Sequence, residues 1–305
     1  MFSLTLPAMI HPPEEFTAEI KNLFLDKKLE QARERLLATI HEGWDGHHNL
    51  IAMTHLYANP RTAEDEQAAK VWLDKGVKAG EVDCEVILGR LLVSGELGEV
   101  RFNEGLALLE RAANKKVLMA VSTLLQIHEH GVEGHCDPDA DQAHHYLNMA
   151  ADLGDPNAAY KLALVLEQNE PDNPQAAFRY FDKAAQGGLA QAMHNVAVYY
   201  LHGKGMPANI QLALAYFTEA AKLASPLSML SLALMHVDGS GVEPNQAVAL
   251  SWLYIYQTLF PESSVPEQLQ ALLVDVQSED EAFARQAAQN FLRYQLKQSP
   301  GGTIH

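Results

Sequence analysis

The stretch Leu-His-Gly-Lys-Gly-Met-Pro-Ala-Asn-Ile-Gln-Leu-Ala-Leu-Ala-Tyr-Phe-Thr-Glu-Ala-Ala, Leu201 to Ala221, decides how this chain folds. It reads as the end of one helix, a turn at Gly203-Lys204-Gly205, and a second helix. Glycine takes positive φ at little cost, which suits so tight a connection. In the second helix Ala213, Tyr216, Phe217, Ala220 and Ala221 stand at i, i+3, i+4, i+7 and i+8, one stripe of an α-helix. The alanines let a neighbouring backbone approach, and the rings fill the space between.

Working outward, the same stripe returns at near-constant spacing. Its small anchors are Ala69, Gly105, Ala143, Ala177, Ala213 and Ala249, separated by 36, 38, 34, 36 and 36 residues. Three later runs a bulky column of Trp72, Leu108, Tyr146, Tyr180, Tyr216 and Trp252. Beside it runs Leu73, Leu109, Leu147, Phe181, Phe217 and Leu253. Four residues before the anchors stand Asp65, Arg101, Asp139, Asn173, Asn209 and Asn245; all but the arginine have a side chain able to cap a helix start. Gly80, Gly154 and Gly188 fall where the helix should end in a left-handed residue. The preceding helix repeats as well, with small residues at Cys84, Ala120, Ala158, Ala192 and Ser228. Four later come Leu88, Leu124, Leu162, Val196 and Leu232.

These residues resemble the Sel-one-like repeat family, relatives of the tetratricopeptide repeat. Its consensus runs A-x-x-x-L-G-x-x-Y-x-x-G-x-G-V-x-x-D-x-x-x-A-x-x-W-x-x-x-A-A-x-x-G. Ala192 to Ala224 is similar to it throughout, and Ser228 to Leu253 almost as much so. The resemblance covers residues 48–258, about six repeats. Two turns depart from it: the Ala158 repeat lacks turn glycines and is two residues short, and the Ala120 repeat is two residues long. The fold expected is an all-α, right-handed α/α superhelical solenoid of helix-turn-helix repeats with helical caps. Residues 1–47 are read as N-terminal capping helices or a degenerate repeat. Residues 259–298 are read as C-terminal capping helices, over 266–276 and 279–297, and 299–305 as a mobile tail.

Bulk properties narrow the function classes. No apolar run approaches the roughly 18 to 20 residues a membrane helix needs, so no membrane insertion is expected. The start lacks the basic segment of a secretory signal, which makes the cytoplasm the expected location. Two cysteines, Cys84 and Cys136, are too few for a disulfide framework. The net charge of −17 opposes binding to a phosphate backbone, so nucleic acid is not an expected partner.

No nucleophile triad, phosphate loop or carboxylate pair has motif-level spacing, so no enzyme and no cofactor are expected. The His-rich stretch from His128 to Asp137 contains one candidate metal set, His130, His135 and Cys136. A structural or solvent role is favoured, since His128 occupies the consensus tyrosine position, as does His236. Within the family the first helices line the concave face. The resemblance therefore implies a bacterial scaffold or adaptor that binds a protein or peptide there, through Arg90, Gln126, Tyr160, Leu164, His194, Val198, Leu230 and Leu234. The competing reading is a small-ligand or metal-binding protein with its site near residues 130–145.

Overall fold

A computed structural model describes residues 14–41, 46–98, 100–274 and 278–298. The expected tail at 299–305 and the first 13 residues lie outside them. Among the described residues the chain is all-α, without strands; its one β feature is an isolated bridge between Val132 and Cys136. Helices α1 (Glu14–Leu25) and α2 (Leu29–His41) come first. Then follow α3 (His48–Leu56) with α4 (Ala63–Ala79), α5 (Val82–Ser94) with α6 (Phe102–Asn114), and α7 (Leu118–His130) with α8 (Ala140–Asp152). Next are α9 (Pro156–Asn169) with α10 (Pro174–Gln186), α11 (Ala190–His202) with α12 (Ile210–Lys222), and α13 (Pro226–Asp238) with α14 (Gln246–Leu259). The end is a single turn, α15 (Glu267–Gln270), running into a 3-10 turn at Ala271–Leu273, and then α16 (Ser278–Gln298). The first of the two C-terminal helices read from sequence is thus only a short, mixed turn.

The chain divides into two compact units, residues 1–146 and 147–305. In each, a helix packs chiefly on its neighbours in sequence: α3 on α4, α4 on α5, α5 on α6 and α6 on α7 in the first. In the second, α9 through α14 stack in the same serial way, and α16 covers α14. That is the contact pattern of a solenoid, where stacking of repeats supplies the core. The repeating stripe is what is buried. Leu73, Leu109, Phe181, Phe217 and Leu253 are inaccessible, as are the small anchors Ala69, Ala177, Ala213 and Ala249. In the bulky column, Leu108, Tyr146 and Tyr180 are buried, whereas Trp72, Tyr216 and Trp252 are only partly covered.

Two kinds of backbone connection join the helices. Between the helices of a pair, the amide just before the second helix donates to a carbonyl in the last turn of the first. The bonds are Arg101 N to Leu92 O (2.9 Å), Asp139 to His128 (2.9 Å), Asn209 to Tyr200 (2.8 Å) and Asn245 to His236 (2.9 Å). The shortened turn between α9 and α10 has another arrangement, with Leu166 O taking the Glu170 amide instead.

From one pair to the next, each second helix closes in a Schellman-type pair of bonds. Ala220 O accepts from Ser225 N and Ala221 O from Ala224 N, and the pairs Ala112-Ala113, Ala150-Ala151 and Ala184-Ala185 repeat this. The small pairs therefore both admit the neighbouring backbone and terminate the helix. The left-handed position is glycine at Gly80, Gly154 and Gly188, as the sequence pattern predicts, but Lys116 (φ 62°) and Ala224 (φ 58°) hold it in their own turns. A side chain there costs roughly 1 kcal/mol.

The predicted caps need correction. Asn209 and Asn245 do accept from Leu212 N and Val248 N, and Asp139 accepts from Asp141 N and Gln142 N. Asp65, however, is the third residue of α4; the cap is Thr62, and the two form a reciprocal capping box. Bonds from His55 and from the Thr62 hydroxyl and amide hold the Asp65 carboxyl down to about 2. Asn173 makes no cap bond; its side-chain amide donates instead to Glu170.

Candidate functional site

The first helices α5, α7, α9, α11 and α13 carry the side chains that sequence singled out. In the first unit Arg90 and Gln126 are exposed, and the Arg90 guanidinium lies 3.7 Å from Met119 Sδ. In the second unit Leu164 on α9 is 41% exposed, while Val198, Leu230 and Leu234 are half-buried against the C-terminal core. Two of the proposed anchors are tied into the stack. The Tyr160 ring lies 5.8 Å from that of Phe181. His194 bonds through Nδ1 to Ser228 Oγ at 3.1 Å, which links α11 to α13, and its ring sits 5.3 Å from Phe217. Their exposed edges face outward, but much of each side chain holds adjacent repeats together.

The His-rich turn does not gather its candidates. His135 stacks on Phe102, with centroids 5.3 Å apart and planes 9° from parallel. His130 Nδ1 faces Gln126 O of its own helix at 3.1 Å, and His128 stacks on Tyr146. Among the described residues, no three His, Cys, Asp or Glu side chains are placed to hold a metal ion. Cys84 is fully buried and donates to Glu81 Oε2 at 3.2 Å. Burial, then the Glu81 carboxylate, push this thiol far above the usual cysteine range, so it is inert as a nucleophile. The same Glu81 also pairs with His48. The buried Glu85 carboxylate is held by Arg111 (2.7 Å) and Lys115 (3.1 Å), and so joins α5 to the end of α6.

Half-buried histidines make stability depend on pH. Burial lowers the pKa of His194 and of His236, whose Nδ1 has no partner, below the ordinary 6.5. The unfolded chain therefore takes up protons near 6.5 that the folded chain refuses. The contribution of each neutral ring is complete above about 6.5 and is lost as pH falls toward the lower folded values. The urea midpoint is expected to drop between about pH 7.5 and pH 5. A His236→Tyr variant, with the residue that Tyr200 supplies one repeat earlier, should show a smaller drop. An equal drop in both proteins would place the acid sensitivity elsewhere.

One surface escaped the sequence reading. Between α1 and α3 lies an apolar pocket of about 370 Å³ lined by Phe16, Ile20, Phe24, Leu50, Met53 and Tyr57, with His47 in its wall. The apolar positions of α1 were legible as a helix face. That α1 and α3 leave a gap between them depends on their placement, which no local pattern encodes.

The Sel1 repeat family model matches residues 118–155, 156–189, 190–225 and 226–255. Among solved structures, a protective antigen of uropathogenic Escherichia coli displaying an SLR fold superposes with a TM-score of 0.62 at 18% identity. The match covers 90% of this chain and 60% of that one, so the chain spans somewhat under two-thirds of the antigen's length. A Sel1 repeat protein from Oxalobacter formigenes superposes with a TM-score of 0.55 at 21% identity, over 79% of this chain and 98% of that one. Among curated proteins none matches the sequence. No helix among the described residues is long and apolar enough to cross a membrane.

Proposed function

Since the chain carries an unbroken run of four Sel1 repeats, we propose that it is a non-enzymatic scaffold that binds a protein or peptide on its first-helix face. Sel1 repeats generally serve as protein–protein interaction scaffolds. The observation that carries the reading here is the apolar strip on α9, α11 and α13. Leu164 is 41% exposed, and Val198, Leu230 and Leu234 are partly open in the same register. Rigid helices hold these groups at repeat spacing, so little ordering entropy is lost on this side when a partner binds. Tyr160 and His194 add polar edges to the strip, and Arg90 and Gln126 hold the matching positions in the first unit. A bacterial cytoplasmic setting, expected from the sequence, belongs to the same proposal.

Crosslinking capture from native lysate tests it, with wild type compared against Leu164→Glu. Leu164 is exposed, so the charge should leave helicity and urea midpoint unchanged while removing apolar contact from the strip. A partner held by wild type and lost by the variant is the expected result. A partner held equally by both would move the binding surface off the first helices. Absence of any captured protein would overturn the scaffold reading itself.

A further inference from the structure

Met119 is the exception among the described methionines. It is the second residue of α7 and is 55% exposed, whereas Met229 and Met235 are buried and Met53, Met149, Met193 and Met206 are partly covered. The same place in the repeat, just before the small column, holds Asp83, Asn157 and Gln191 in three other repeats and Leu227 in the last. A thioether so exposed fills no gap in the core. Its sulfur instead receives Arg90 of α5, with Nη1 3.7 Å from Sδ. Among the described residues no carboxylate pairs with Arg90, so this cation rests on one of the weakest acceptors a protein offers. Both residues belong to the first unit, and both are exposed.

We propose that Met119 is a site of reversible oxidation, whose sulfoxide oxygen is held by Arg90 so that a loose contact between α5 and α7 becomes a clasp. The oxidant is a hydroperoxide, of which hydrogen peroxide is the simplest. A sulfur lone pair attacks one peroxide oxygen; the S–O bond forms and the O–O bond breaks. The proton on the transferred oxygen passes to the departing hydroxide, giving water. Sulfur loses two electrons and the peroxide gains them.

Oxidation turns an apolar side chain into a polar one, which disrupts a packed core. Here the side chain lies outside the core, and a donor already faces the sulfur. A guanidinium makes the new bond charge-assisted, at an N–H···O length of about 2.7–2.9 Å. Neither side chain is packed in, so both can turn to reach that length. Methionine sulfoxide reductases restore the thioether. The clasp also withdraws the Arg90 charge from the first-helix face. That last consequence rests on the scaffold reading; the oxidation and the clasp do not.

The test exposes the full chain to hydrogen peroxide and follows each methionine by peptide mass spectrometry, while NMR of nitrogen-15-labelled arginine follows Arg90. Met119 is expected to oxidise several-fold faster than any other described methionine. In step with it the Arg90 guanidinium signals should shift, and methionine sulfoxide reductases should return them to their starting positions. A Met119→Leu variant, altered only at an exposed position, should show no shift under the same treatment. Oxidation of another described methionine ahead of Met119 would overturn the proposal. So would Met119 sulfoxide formed with the Arg90 signals unmoved, or the same shift in Met119→Leu. None of these readouts requires a partner protein, so failure here and failure of the scaffold reading are separate results.

Discussion

Replacing Gly105 by alanine is expected to destabilise the first unit by about 1–3 kcal/mol, the usual cost of overpacking a close helix contact. Sequence alone suggests the opposite sign. Alanine fills this anchor column at Ala69, Ala143, Ala177, Ala213 and Ala249, and it exceeds glycine in helix propensity by about 1 kcal/mol. Yet a Cβ on Gly105 would lie 2.6 Å from Gly89 O and 3.0 Å from Val93 N, both backbone atoms of α5. A Cβ on Gly89 would in turn meet Gly105 O at 3.0 Å. The two helices touch main chain to main chain, so no side-chain rotation relieves the contact; α5 and α6 must move apart. Urea unfolding read through Trp72, with Trp44 and Trp252 replaced by phenylalanine, reports on this unit. A midpoint equal to or above that of wild type would show that the helices separate without cost.

Phe217→Ala should cost about 3–5 kcal/mol in the second unit, the range for deleting a buried phenylalanine. Phe217 is 1% exposed and lies among Ala213, Ala221, Met229, Leu232 and Leu253. Alanines form much of that wall and have no atoms to swing into the void, so the cavity should persist. The loss also removes the ring against which His194 sits. Solenoids can unfold piecewise, so the measurement should follow Trp252 alone, with the other two tryptophans replaced. Phe217→Leu should cost distinctly less. If Phe217→Ala shifted the Trp252 transition by less than its uncertainty, the stripe would not be the source of stability.

What was legible in the sequence follows from where the information is local. The i, i+3, i+4, i+7, i+8 stripe states its own burial, and Phe181, Phe217 and Leu253 are buried as that periodicity requires. Gly80, Gly154 and Gly188 likewise mark left-handed positions because glycine is the ordinary tenant there. Lys116 and Ala224 occupy the same position invisibly, because the Schellman bonds that impose it come from backbone carbonyls whatever the side chain. Asp65 was misread as a cap because an acidic residue suits both the cap and the third helical position, and only the Thr62 bonds separate the two. His194 looked like a surface anchor; its bond to Ser228 joins residues 34 positions apart, and one repeat read alone does not show it. The α1–α3 pocket was hidden for the same reason, since its walls come from a segment without the motif and from a gap between helices.

The bonds that close the turns within helix pairs have an evolutionary consequence. Those from Arg101, Asp139, Asn209 and Asn245 each run from a main-chain amide to a main-chain carbonyl. The loops they close read Gly-Glu-Leu-Gly-Glu-Val-Arg, Gly-Val-Glu-Gly-His-Cys-Asp-Pro-Asp, Gly-Lys-Gly-Met-Pro-Ala-Asn and Gly-Ser-Gly-Val-Glu-Pro-Asn. Beyond two glycines of positive φ in each, these share little, and one is two residues longer than the rest, yet the same bond forms in all four. Away from those glycines, point mutations and small insertions can therefore accumulate in these loops without disturbing the helix pairs they join. The array thus holds stretches of sequence open to neutral drift, from which a lineage can draw new surface chemistry while the stack beneath stays as it was.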